Sequence, residues 1–326
     1  MGFEVLNAET VRAALKGVGV TTVTPFAPDD LRLDLPSLRK NLTFLLDHGI
    51  RVLYPCGNTG EFHALTGEEW REVVSETAKT AHGRAVVLAC VGYAAETAIE
   101  MGRYAVAHGA DGVMVMPPMH TYRSAQGLGM YYRRIIETLD VPVVIYKRGE
   151  APSDELLVEL VRDDRIVGVK YAVNDPNRFA NVVARAREAK AIWTCGTAER
   201  WAPFFALAGA QGFTSGIANF APGLALDMMA ALQAGDYPRA MRVRARVLPF
   251  EDLRARHDDA NNVPAVKAAV DCLGLHAGPP RPPLFFREEW KQPANAPEHP
   301  VTAAYLEFAR PTIRHQRHLL SRPAGK

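Results

Sequence analysis

Ile166-Val167-Gly168-Val169-Lys170 and, 24 residues upstream of its last member, the run Val141-Pro142-Val143-Val144-Ile145-Tyr146 decide how this chain is read. Each is a short apolar run closed by one polar residue, the pattern of a buried strand that delivers a functional group at its C-terminal mouth. An amine held in so apolar a place is penalised for carrying charge, so its pKa falls and it can attack a carbonyl carbon. A phenol one strand earlier is placed to shuttle protons. Lys170 with Tyr146 therefore points to Schiff-base chemistry on a keto acid.

Outward from these two runs the chain repeats one rhythm. Short apolar runs begin near Val18, Arg51, Ala85, Asp111, Val141, Arg165, Ala191 and Gln211, and each is followed by a longer stretch with helical spacing. Asp34 to Ser37 and the Thr66-Gly67-Glu68-Glu69 capping box mark helix starts, and His48-Gly49, His82-Gly83, His108-Gly109 and Ala208-Gly209 mark stops. Eight strand-plus-helix units predict an α/β fold, a parallel sheet closed into a (β/α)8 TIM barrel. An open doubly wound sheet is the alternative; the first turn lacks its GxGxxG phosphate loop, and polar residues end several strands rather than one switch point. The expected organisation is an N-terminal segment over 1–16, the catalytic barrel over 17–222 and a C-terminal extension over 223–326. The extension shows helical periodicity to about Leu275, a proline-rich strap from Gly278 to Leu284, a last helix around Ala303 to Leu320, and a polar tail.

Composition bounds the function. The 326 residues are 48% hydrophobic and 23% charged, as in an ordinary globular protein, and a net charge of +2 gives no argument for nucleic acid. No apolar stretch approaches the roughly 18–20 residues that span a bilayer, and the first ten residues resemble neither a secretory nor a transit signal, so a cytoplasmic location is expected. Cys56, Cys90, Cys195 and Cys272 form no CxxC pair and read as small buried hydrophobes. His315 and His318 lie in a polar tail, and no metal or cofactor is specified. Trp193, Trp201, Phe204 and Phe205 read as packing between barrel helices, and the arginine-rich stretch from Arg239 to Arg256 as a solvated helix or subunit contact.

The second unit ends Val52-Leu53-Tyr54-Pro55-Cys56 and enters Gly57-Asn58-Thr59-Gly60-Glu61. Two glycines allow a tight turn that presents N–H groups, and Asn58 and Thr59 add side-chain donors, a combination suited to a carboxylate. Gly57-Asn58-Thr59-Gly60-Glu61, Tyr146, Gly168-Val169-Lys170 and Gly216-Ile217-Ala218-Asn219-Phe220-Ala221-Pro222, in that order, resemble the dihydrodipicolinate synthase and N-acetylneuraminate lyase superfamily from about Gly17 to Leu284. The resemblance implies a (β/α)8 barrel with a helical extension, a homotetramer or homodimer, and a small 2-oxo acid such as pyruvate as the partner of an active-site lysine, with no membrane or nucleic-acid role. It makes Lys170 the imine-forming residue, Tyr146 the proton carrier and Thr59 the residue that meets the substrate carboxylate and orients the tyrosine. Gly57, Asn58, Gly60, Arg148, Gly196, Thr197, Gly216 and Ile217 complete the implied substrate site. Glu61 is expected to be structural, accepting N–H bonds.

Departures narrow the activity. The synthases carry an arginine five residues after the tyrosine, where this chain has Ala151, and a partner-subunit tyrosine near Pro117-Pro118-Met119-His120, where only His120 or Tyr122 offers a substitute. Tyr146-Lys147-Arg148, Gly196-Thr197-Ala198-Glu199 and the strap resemble 5-dehydro-4-deoxyglucarate dehydratases, although Tyr171 stands where those enzymes carry an acidic residue. The resemblance thus implies a lyase that dehydrates a 2-keto-3-deoxy sugar acid. A pyruvate-releasing class I aldolase, or a catalytically silent metabolite-binding relative, are the alternatives, and Arg148 is the candidate for a distal carboxylate.

Overall fold

The computed structural model describes residues 6–286. The helix expected around Ala303 to Leu320, the tail and the His315/His318 pair lie outside them. Eight parallel strands close into a barrel: β1 Val18–Thr21, β2 Val52–Tyr54, β3 Val86–Val91, β4 Gly112–Val115, β5 Val143–Arg148, β6 Ile166–Ala172, β7 Ile192–Cys195 and β8 Gly212–Ser215. Closure comes from β1 pairing with β8, with Gly19 opposite Thr214. Helices cover the outside and side chains fill the inside, so every strand except the last residues of β5 and β6 is buried throughout. That two-sided burial is why the strands read as continuous apolar runs.

Helix α1 (Ala8–Leu15) precedes the barrel and packs on β6 and β7. The barrel helices are α2 (Leu35–Asp47), α3 (Gly67–Ala81), α4 (Ala95–Ala107), α5 (Ala125–Leu139), α6 (Asp154–Leu160), α7 (Pro176–Arg185), α8 (Ala198–Leu207) and α9 (Pro222–Gln233). Asp34 caps α2 and accepts from Ser37 N; Thr66 and Glu69 form the reciprocal capping box of α3, satisfying donors that a helix start leaves orphaned. Glycines 49, 83, 109 and 209 take the left-handed conformation at the helix stops. Helix α9 packs against β1, β8 and α8. It closes the outer ring from beyond the boundary expected at residue 222. Two more helices, α10 (Tyr237–Ala255) and α11 (Asn262–Cys272), form the extension.

The proline-rich strap returns to the barrel mouth and is tied there. Phe26 N donates to Ala277 O at 3.1 Å. Arg281 forms a bidentate pair with Glu69 at 2.6 and 2.7 Å, and its guanidinium lies 4.0 Å from the Phe26 ring centroid. Glu61 accepts Lys267 Nζ at 2.6 Å and Arg281 N at 2.7 Å, so one buried carboxylate links the loop after β2 to α11 and the strap. Its structural role matches the expectation.

Candidate active site

Strand register brings the two deciding residues together. Tyr146 on β5 pairs with Lys170 on β6, and Lys170 with Thr194 on β7. Because side chains alternate along a strand, Lys170 enters the barrel while Tyr171 turns outward, stacking edge-on with Phe179 at 5.1 Å and donating to Asp154 at 3.3 Å. The position where the dehydratases carry an acid therefore faces the helical layer here.

Lys170 is 5% exposed. Its Nζ lies 4.4 Å from the Tyr146 ring centroid and 3.5 Å from Thr21 Oγ1. Burial, reinforced by the charges of Arg148 and Arg254, pushes its pKa down to about 8. At pH 7 about one such lysine in ten is the neutral nucleophile, against about one in 2,500 for an ordinary lysine. Burial raises the Tyr146 phenol, partly opposed by Arg148, so it stands protonated and able to donate. Its hydroxyl accepts Asn58 Nδ2 at 3.1 Å. The tyrosine-orienting bond therefore comes from Asn58; Thr59, 7% exposed, lines the cavity beside it. Cys90 and Cys195, each pushed up to about 12 by burial, stay thiols near the amine.

The loops that hold these groups are pinned from behind. Thr24 Oγ1 donates to Gly60 O at 2.7 Å. Asn219 Nδ2 reaches both Thr21 O and Gly216 O at 3.0 Å, tying the exits of β1 and β8. A Cβ on Gly57 would lie 2.4 Å from the Thr21 methyl group, so this glycine serves close packing under the site.

A cavity of about 450 Å³ opens above Lys170. Asn58, Thr59, Tyr146, Arg148, Gly196, Thr197 and Gly216 all line it, whereas Gly57, Gly60 and Ile217 do not. His120 and Tyr122 lie exposed on the loop after β4, also outside that lining, and Ala151 is buried. Among the described residues no cluster of three His, Cys, Asp or Glu could hold a metal, and no helix is long and apolar enough to cross a membrane.

Several lining residues were not anticipated. Thr21 closes the apolar run of β1 much as Tyr146 closes β5, and that signal was present in the sequence. Trp201 reaches the cavity, while Trp193 and Phe205 pack with Phe179 as expected. Arg254 and Glu251 also line it, both at least nine-tenths buried. The stretch read as a solvated arginine-rich helix thus supplies a wall of the site.

Comparison with known proteins gives the family. The model of the dihydrodipicolinate synthetase family matches residues 14–296. The chain is 34% identical over 282 residues to the 4-hydroxy-tetrahydrodipicolinate synthase of Methanoculleus marisnigri, spanning 85% of this chain and 95% of that protein. It is also 34% identical over 270 residues to the probable 5-dehydro-4-deoxyglucarate dehydratase 1 of Streptomyces coelicolor, spanning 80% and 85%. The crystal structure of dihydrodipicolinate synthase from Bacillus clausii superposes with a TM-score of 0.85 at 42% identity, covering 90% of this chain and 99% of that one. With its closed eight-stranded barrel and a family match across most of its length, the chain belongs to the dihydrodipicolinate synthetase family.

Proposed function

We propose that this enzyme is a Schiff-base hydro-lyase that dehydrates a 2-keto-3-deoxy sugar acid. The observation that carries the reading is the convergence, in one cavity, of a desolvated Lys170 amine with the Tyr146 phenol held by Asn58. The neutral amine adds to the C2 carbonyl, and the carbinolamine loses water to give a protonated imine. In this reading Tyr146 carries the protons of both steps. The imine draws electrons from C3, so a C3 proton leaves, the enamine expels the C4 hydroxyl as water, and hydrolysis returns the lysine and a dehydrated keto acid. Asn58 and Thr59 meet the C1 carboxylate.

Lysine-pathway synthesis is less well served, because the position of the aldehyde-gripping arginine is Ala151, which is 3% exposed. Relatives of both kinds reach 34% identity and one solved dihydrodipicolinate synthase 42%, so the distinction is drawn from this residue and not from overall similarity. Assembly into a homodimer or homotetramer belongs to the same proposal and rests on family resemblance. The test is product analysis with 5-dehydro-4-deoxyglucarate. A dehydrated keto acid, with or without carbon dioxide, supports the reading; pyruvate plus an aldehyde would replace it with an aldolase.

A further inference from the structure

The cavity lining carries more cationic than anionic side chains. Four cationic side chains line it, Arg148, Lys170, Arg200 and Arg254, against two carboxylates, Glu251 and Asp259. The three arginines are not equivalent. The Arg148 side chain is 54% exposed and faces Asp259 at 3.5 Å; that of Arg200 is 27% exposed and pairs with Asp252. The Arg254 side chain is 8% exposed. Only there is a guanidinium taken almost wholly out of water at the cavity wall, where a bond to an anion is strongest.

Arg254 is also held in place. Nη1 donates to Glu251 Oε1 at 2.7 Å, Nη2 to Asn262 Oδ1 at 2.9 Å and Nε to Asn262 O at 3.4 Å. A guanidinium has five N–H groups, so these bonds orient the fork and leave one hydrogen on each terminal nitrogen for a ligand. The backbone just after β8 makes room for it: a Cβ on Gly216 would fall 2.6 Å from Nη2 and 2.9 Å from Cζ. Glu251 pairs with Arg254 Nη1 at 2.7 Å and offsets part of its charge, so the two remaining hydrogens of the fork hold an anion chiefly by directed hydrogen bonds. The buried Glu199 accepts Ser215 Oγ at 2.5 Å, and burial with the Glu251 charge pushes it up to about 7.

We propose that Arg254, supplied by α10, binds a carboxylate at the far end of the substrate and makes the enzyme selective for 2-oxo diacids. The assignment rests on the imine reading above and replaces Arg148 as the distal-carboxylate group. An acid whose C1 carboxylate sits at Asn58 and Thr59 and whose C2 is joined to Lys170 extends its remaining carbons toward this wall.

The test is borohydride trapping at Lys170, read by peptide mass spectrometry, with chain-matched pairs: 2-oxoglutarate against 2-oxopentanoate, and 2-oxoadipate against 2-oxohexanoate. Each protein is scored by its own diacid-to-monoacid ratio, which cancels any change in amine reactivity. The wild type should trap diacids at about tenfold lower concentration or better, the worth of a buried charge-assisted pair. In Arg254→Met the ratio should fall to near one. Gly216→Ala, which keeps the charge but displaces the fork, should lower it in the same direction. Equal trapping of both classes by the wild type, or a wild-type ratio in Arg254→Met, overturns the assignment while leaving the imine chemistry standing. No adduct with any 2-oxo acid, pyruvate included, removes the imine reading and this assignment with it.

Discussion

The Lys170 amine lies 4.4 Å from the face of the Tyr146 ring, on adjacent strands whose register sets the two residues directly opposite one another. The pair is thus fixed by backbone hydrogen bonding rather than by a mobile loop. Removing the phenol oxygen while keeping the ring should separate packing from proton transfer. Tyr146→Phe is expected to fold normally and to lose about 100-fold or more in kcat, the usual contribution of a positioned acid–base group. Loss of less than about threefold would assign the protons elsewhere.

Asn58 gives the tyrosine its orientation through a 3.1 Å bond. Asn58→Ala should lower kcat about tenfold, the worth of one such bond. Asn58→Thr, which restores a hydroxyl donor, should recover part of the loss. Equal defects in the two variants would indicate a packing role.

The amine must be neutral to attack, so imine formation should rise with pH as Lys170 loses its proton. The sign is fixed by the downward shift: kcat/KM should climb about tenfold per unit below pH 8 and level off above it. An ordinary lysine would keep climbing to about pH 10. A profile still rising at pH 9.5 would show that burial does not activate this amine.

Glu61 and Lys267 form an ion pair whose side chains are 1% and 0% exposed. Lys267→Met leaves a buried carboxylate without its cation and should cost about 3–5 kcal/mol in urea unfolding. Glu61→Gln combined with Lys267→Met should cost less than the two single changes together, since neither charge is then left alone. Simple additivity would contradict the coupling.

Gly57 packs its bare Cα against Thr21, whose hydroxyl accepts from the Lys170 amine at 3.5 Å. Gly57→Ala should cost about 1–3 kcal/mol by overpacking and slow imine formation by displacing Thr21. Thermal unfolding and pyruvate trapping read the two effects separately.

The barrel was legible because its strands are buried on both faces, so each wrote itself as an apolar run. All eight expected starts fall within two residues of the observed ones. Lys170 and Tyr146 were legible for the related reason that one polar residue ending such a run has little purpose in a core. Arg254 was not, because its helix carries Arg239, Arg242, Arg244 and Arg246 as well, and periodicity cannot tell which arginine turns inward. That choice is made by Glu251, Asn262 and the missing side chain of Gly216, three contacts that exist only after α10 folds over the barrel mouth. The bond to the tyrosine, expected from Thr59, comes from Asn58 for a similar reason: adjacent residues in a tight loop point in different directions, and the sequence alone does not say which faces the tyrosine.

The most direct test of the central claim is peptide mass spectrometry after incubation with pyruvate and borohydride, with Lys170→Ala as control. One reduced pyruvyl adduct on Lys170, absent from the variant and from pyruvate-free samples, is the predicted result. An adduct on another lysine such as Lys147, or none under conditions where the protein is folded, would contradict it.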